Sequence, residues 1–289
     1  MPPARKALLQ IHLCVVIWGF TAILGKLITL PAFALVWWRM SLVVLALAFV
    51  PAFWRGVRRM SLRTVAIFSG IGVVVALHWV TFYGAIKLAN ASVAATCMGV
   101  APIIMSVVEP WITSKRFDPR ELVIGIAAVP GVMLVVGGTP GGMRLGIAAG
   151  VLSALLVAIF GSLNKRFVES GEPLAVTGLE LAAGTVFLTV LALSFGGDST
   201  RLPLPDARDA ALLLVLSIAC TLFPFALSLV ALRNLSAFSA QLAVSLEPVY
   251  AVVLAMLLLS EQRELSWQFY AGLTVILGSV FAHAALKRA

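Results

Sequence analysis

The sequence predicts an all-α membrane protein, with ten transmembrane helices in two inverted five-helix repeats around a central cavity. Three observations carry that expectation. The 289 residues are 61% hydrophobic and only 11% charged, with a mean hydropathy of +1.06, which is more apolar surface than a water-soluble domain can hide. Ten apolar stretches approach the roughly 20 residues that cross a hydrocarbon core of about 30 Å at about 1.5 Å per residue. The two halves of the chain also match one another in register.

The ten spans are predicted at 7–28, 31–53, 64–86, 91–113, 122–138, 145–163, 174–196, 210–232, 236–259 and 266–286. Each is predicted helical, because lipid cannot satisfy bare backbone amides and the runs lack the dyad alternation of a barrel. Arg5 and Lys6 precede the first run as in a signal peptide, but the run is too long and has no clear small-residue cleavage site, so it reads as a retained helix. Thr29-Leu30-Pro31, the arginine-rich stretch 54–63, the stretch 114–121, the glycine-rich 139–143 and the stretch 196–209 read as connections. In this layout 14 Lys and Arg fall on one side of the membrane and 5 on the other. The positive-inside rule then places both termini in the cytoplasm.

Shifting the register by 146 aligns 85–102 with 231–248, matching Lys87 to Arg233, Ala91 to Ala237, Ala94 to Ala240 and Pro102 to Pro248. A shift of 142 pairs Trp18-Gly19 with Phe160-Gly161, and Pro31 with Pro173. The repeats are read as 1–138 and 139–289. Five helices is an odd number, so the second copy enters the membrane upside down, an arrangement common among secondary transporters.

Several function classes fall away. The net charge is +9, yet 15 Arg and 6 Lys are strung between apolar runs, so no basic stripe with interleaved aromatics offers itself to nucleic acid. Cys14, Cys97 and Cys220 sit inside apolar runs without CxxC spacing and read as small buried hydrophobes. The stretch from Gly19 to Gly25-Lys26 has five intervening residues and no Ser or Thr after the lysine, so it is not a P-loop. No HExxH or GxSxG motif occurs. Neither an enzyme activity nor a metal or cofactor is expected. The expected partners are a small-molecule substrate and the bilayer, and oligomeric state is left open, a monomer included. Gly142, Gly146 and Gly150 have GxxxG spacing, read as internal packing rather than a dimer face.

Ionisable groups deep in apolar spans cost about 2.5–3.5 kcal/mol each on insertion scales, so each needs a reason. Arg39, His78, Glu180 and Glu247 are the deep ones. His78 with Phe82, and Trp79 with Tyr83, are i,i+4 pairs forming an aromatic face that carries one titratable group. That face is a candidate substrate surface, or His78 simply bonds a backbone carbonyl of a neighbouring helix. Glu247 is a candidate for binding a substrate amine or relaying a proton, or else pairs structurally with Arg39. Pro102 and Pro248 are candidate hinges or packing kinks at matched places. Trp18 and Phe160, matched across the halves, are candidate cavity residues. Met98, Gln241 and Ser245 add adaptable and polar surface near the prolines. Glu180 reads as a structural partner, and Lys26 and Glu109 as side chains that snorkel from helix ends.

Trp18-Gly19, Arg39, Phe82-Tyr83-Gly84-Ala85, Ala91-Ser92-Val93-Ala94, Pro102, Ala237, Glu247-Pro248 and Ser260-Glu261 resemble the drug/metabolite transporter superfamily. Among its members the chain is most similar to ten-helix transporters with two EamA-type repeats, nearest to bacterial amino-acid exporters with aromatic-lined cavities. The resemblance implies a cavity lined by helices 1–4 and 6–9 and export of amino acids or related metabolites by alternating access. One departure is that Ser260-Glu261 in the second repeat meets Ser114-Lys115 in the first, so an acidic residue is missing there. The alternatives are an efflux carrier for lipophilic cations and, from another class, an intramembrane receptor or enzyme. The compact chain without long loops points to a bacterial cytoplasmic membrane.

Overall fold

The computed structural model describes residues 3–119, 123, 130–131, 133–244 and 246–286, and among these every regular element is helical. In the first half α1 spans Pro3–Leu27, α2 Ala32–Ala48, α3 Pro51–Arg58, α4 Leu62–Leu88, α5 Ala91–Met98 and α6 Ala101–Thr113. Residues 130–131 and 133–137 are also helical. In the second half α7 spans Arg144–Phe167, α8 Pro173–Phe195 and α9 Ala207–Leu214. The π-helical segment Val215–Leu222 leads into α10 at Phe223–Leu232, followed by α11 at Ala237–Val244, α12 at Glu247–Leu259 and α13 at Trp267–Leu286.

Local chemistry starts these helices where the chain needs them. Ser61, Asn90 and Asp206 each accept a hydrogen bond from the backbone N–H three residues on, at 3.1, 2.9 and 2.7 Å, which supplies an acceptor to one otherwise bare donor per helix. Six helices among the described residues are long and apolar enough to cross a membrane. The predicted spans 122–138, in large part, and Ser245, Arg120, Lys287 and Arg288 lie outside the described residues.

The predicted span 31–53 needs correction. Its helix stops at Ala48 and a second one, α3, leaves at 91°. Pro51 cannot continue the helix, and α3 carries Arg55 and Arg58, a composition suited to lying in the membrane interface. Part of the expected arginine-rich connection is therefore helix.

The predicted spans 91–113 and 236–259 are each broken into two helices. Pro102 and Pro248 occupy the second positions of α6 and α12, where a missing N–H is harmless. Short bonds bridge the breaks: Val100 N–H to Cys97 and Ile103 N–H to Val100, both at 3.1 Å, with Leu246 to Ala243 and Val249 to Leu246 at 3.1 and 3.0 Å. Both spans end on a serine in the left-handed region, Ser114 at φ 59° and Ser260 at φ 56°. The start of α6 and of α12, the two prolines and the two serines all stand 146 residues apart.

These spans also tie each other's ends. The Glu261 carboxylate accepts from the N–H groups of Ala91 and Ser92 at 3.0 and 2.8 Å and from the Ser92 hydroxyl at 2.7 Å. The Glu109 carboxylate accepts from the N–H groups of Ala237 and Phe238 at 3.0 and 3.1 Å. The end of α6 thus meets the start of α11, and the end of α12 meets the start of α5, so the two spans run antiparallel side by side. This overturns two expectations. Glu109 does not snorkel but is 2% exposed, and the acid missing from the first half is supplied by Glu109 itself. Lys115, at the place of Glu261, instead pairs with Glu109 at 3.3 Å.

α4 packs against α7, α8 and α2. Small residues set how closely. A Cβ at Gly146 would stand 2.7 Å from the Ala89 Cβ, and one at Gly150 2.7 Å from the Cys97 Cβ, whereas Gly142 faces open space. Two of the three ladder glycines therefore serve contacts inside this chain.

Glu261→Ala removes three bonds to a charged acceptor. At about 1.5–3 kcal/mol for such bonds, its thermal midpoint in detergent is expected to fall clearly below that of the wild type, with Glu109→Ala falling likewise. Unchanged midpoints would remove the cross-ties from this account of the fold.

Candidate functional site

A cavity of about 130 Å³ lies among α1, α2, α4, α5, α6, α7, the π segment, α10, α11 and α12. Of the residues singled out from the sequence, Trp18, His78, Trp79, Phe82, Met98, Phe160, Gln241 and Glu247 are all on its wall. Tyr83 is not. Gly25 leaves no Cβ in its way, and the Tyr83 ring packs there against α1, fully buried. Pro102 and Pro248 also lie off the wall, behind the breaks they help to form. Ser245 falls outside the described residues. α8 supplies no lining residue among those described, which departs from the expectation that helices 6–9 all contribute.

The aromatic wall is continuous. The His78 ring lies 5.2 Å from Phe160 and 6.3 Å from Phe82 between centroids, and Phe225 closes the surface at 6.0 Å from Trp79 and 6.5 Å from Phe160. His78 Nδ1 is 2.9 Å from the Ser153 carbonyl oxygen and 2.8 Å from its hydroxyl. A carbonyl only accepts, so Nδ1 carries the proton and Nε2 holds the lone pair in the neutral ring. The histidine therefore bonds a neighbouring backbone, as one of its two readings had it, and is also a residue of the cavity wall.

Arg39 is the charge on this wall. It is 3% exposed. Its Nε donates to the Thr221 hydroxyl at 2.6 Å, one terminal nitrogen donates to the Tyr83 hydroxyl at 2.9 Å, and the guanidinium carbon sits 3.9 Å from the centre of the Trp79 ring. Thr221 can accept because it lies in the π segment, where its hydroxyl donates five residues back to Leu216 at 2.6 Å; such segments often mark functional sites. Tyr83 thus positions the arginine from behind. Of the two readings of Glu247, the direct ion pair with Arg39 is not made, although the two charges act on one another across the cavity. Glu247 instead opens α12, where the helix dipole favours a negative charge.

Sequence reasoning placed Arg39 at depth but did not assign it to the wall, and it missed Thr21, Asn164, Thr221, Phe225 and Ser228, which also line the cavity. For the residues around Phe225 the available signal was Pro224, which marks an irregular helix. Asn164 stood beside Lys165 and Arg166 and read as a helix end. Among the described residues no group of three or more His, Cys, Asp or Glu could hold a metal ion.

The sequence pattern that defines the EamA-like transporter family matches this chain twice, at residues 5–137 and 144–283. The chain belongs to the EamA-like transporter family. Uncharacterized transporter YyaM of Bacillus subtilis (strain 168) is 25% identical over 166 residues, and this EamA-like chain spans about half of that relative's length, 54%. A crystal structure aligns over 98% of each chain with a TM-score of 0.67 at 16% identity, which shows a shared fold.

A buried arginine held for structure needs its partners, and breaking a buried pair costs about 3–5 kcal/mol. Arg39 makes no ion pair among the described residues, and Glu247 faces it only as a charge on the same cavity wall. Arg39→Met is therefore expected to keep or raise the thermal midpoint in detergent, and a large drop would make Arg39 scaffolding.

Proposed function

We propose that this EamA-like transporter is a secondary exporter of amino acids or related small carboxylates. It works by alternating access between two inverted five-helix repeats, 1–138 and 139–289. Its place is a bacterial cytoplasmic membrane, with both termini in the cytoplasm. The observation that carries this reading is Arg39: a permanent cation on the cavity wall, fixed by Thr221, Tyr83 and Trp79, and making no ion pair among the described residues, with Glu247 the opposite charge on the same wall. A charge kept out of water calls for a counter-charge, and a substrate carboxylate supplies one with geometry that guanidinium matches.

The rest of the wall suits the remainder of such a molecule. Trp18, Trp79, Phe82, Phe160 and Phe225 accept an apolar or aromatic side chain. His78 Nε2 and Glu247 accept from an amine. The matched breaks before Pro102 and Pro248, in spans that cross antiparallel, favour two oppositely inserted repeats that flex at equivalent places. The resulting carrier has five helices per repeat.

The runner-up cargo, a lipophilic cation held by aromatic rings and Glu247, is favoured by those groups but meets Arg39 as a like charge. The cavity of about 130 Å³ is also below the roughly 300–1,000 Å³ typical of sites for drug-sized ligands.

Purified protein in liposomes should release labelled amino acids or related carboxylates from a broad panel. Arg39→Met should lower that flux by about tenfold to a hundredfold, the equivalent of losing a charge-assisted bond of about 1.5–3 kcal/mol. Flux of no panel member would sink the reading. Transport of quaternary cations, lost in Glu247→Gln, would move it to the runner-up.

A further inference from the structure

Behind the cavity wall stands a second acid whose surroundings the transport reading leaves unexplained. Glu180 on α8 is fully buried. Its Oε2 accepts from the Asn164 amide at 3.4 Å, while its Oε1 and the Asn164 carbonyl oxygen have no hydrogen-bond partner. Asn164 is 2% exposed and lines the cavity. Thr177 lies three residues before Glu180 on the same helix face, and its buried hydroxyl is unpartnered too. Gly72 of α4 presses on the Glu180 backbone so closely that any Cβ there would strike the carbonyl. The acid is therefore held in place.

No charge answers it. On the elements packed around α8 the titratable groups are Arg39 on α2, Arg55 and Arg58 on α3, Arg63, His78, Tyr83 and Lys87 on α4, Asp198 in the turn after α8, and Arg144, Lys165 and Arg166 on α7, with Arg233 just after α10. Arg39 is bound to Thr221 and Tyr83, and His78 to Ser153. Lys87, Lys165, Arg166 and Arg233 donate to the carbonyls of Ile28, Leu232, Ile112 and Gly171. None of these groups bonds Glu180, and an ionised carboxylate without a partner here would cost several kcal/mol.

A single proton removes the difficulty. With Oε1 protonated, its O–H donates to the Asn164 carbonyl oxygen while the Asn164 amide N–H donates to Oε2, so the acid and the amide close a ring and both orphaned oxygens gain partners. We infer that Glu180 is a proton-binding site one side chain behind the cavity, exchanging its proton with cavity water past Asn164, so that transport by this chain is linked to a proton. The inference rests on the carrier reading above. When the Asn164 amide swings into the cavity, the acid O–H bond breaks and the proton passes to water. The carboxylate left behind can accept from the unpartnered Thr177 hydroxyl, which lies one turn away on the same helix face. Glu247, the relay candidate that the sequence offered, is not needed for this step.

The test begins without any cargo. Infrared spectra of the purified full chain in D2O, taken across the pH range over which it stays folded, should show a protonated-carboxyl carbonyl band that titrates, and part of that band should be lost in Glu180→Gln. If that variant does not fold, Asn164→Ala, which strips the amide and leaves the acid, should shift the same part of the band. In liposomes the wild type's flux should respond to an imposed pH gradient, whereas Glu180→Gln keeps exchange at equal pH and loses that response. A band identical in wild type and variants, a Glu180 band that never titrates, or a gradient response that survives Glu180→Gln overturns the inference. A titrating Glu180 band with no flux of any amino acid would instead overturn the cargo and leave the proton site standing.

Discussion

Hydrocarbon offers the backbone nothing to bond with, and the rest of this structure depends on how the chain meets that constraint while interrupting two of its spans. The interruptions at Gly99-Val100 and before Glu247 are bridged by bonds three residues back, so the amides of Gly99, Val100 and Leu246 stay paired. The first amides of each span are paired by a carboxylate from the other span, Glu261 for Ala91 and Ser92, Glu109 for Ala237 and Phe238. Each carboxylate is in turn buried in a place where those amides make it tolerable, together with the Ser92 hydroxyl at Glu261 and Lys115 at Glu109. The two spans therefore specify one another's position, and the cavity forms where their broken middles face α1, α4, α7 and α10.

Within that frame the buried ionisable groups separate by what surrounds them. Glu109 and Glu261 are saturated with donors and act as structure. Asp209 is likewise saturated, accepting from the Thr29 N–H at 3.0 Å and its hydroxyl at 2.7 Å, which pins the start of α9 to the turn after α1. Arg39 is held in contact by neutral groups and a ring, with Glu247 as the opposite charge on the same cavity wall. Glu180 has one long bond and an orphaned oxygen. Satisfied groups explain the fold, whereas Arg39 and Glu247 on the cavity wall and Glu180 just behind it lack ion pairs, and a substrate and a proton are available partners there.

The legible part of the site was the part that depends on helical spacing. His78, Trp79 and Phe82 were read as one surface because i,i+4 residues share a face on any helix, and Trp18 and Phe160 came together as matched positions of the repeat. Tyr83 shared that spacing and still went elsewhere, because Gly25 on another helix left room for its ring. A pairing of Glu247 with Arg39 was one of two readings on charge alone, yet Thr221, presented by a π-helical segment, took one of the arginine's donors. Glu109 looked like an interfacial side chain until the start of α11 was seen to lie against it.

The sequence by itself determined that the chain is helical and membrane-embedded, because length and apolarity are local properties that lipid turns directly into structure. It also determined where spans would weaken, since Pro102 and Pro248 lack an amide whatever surrounds them. Which side chains meet in the cavity, which acids are saturated and which are left wanting was decided only by tertiary packing. A contact between helices depends on rotation, depth and the room left by small residues such as Gly25 and Gly72, and none of these is written in any single stretch of chain.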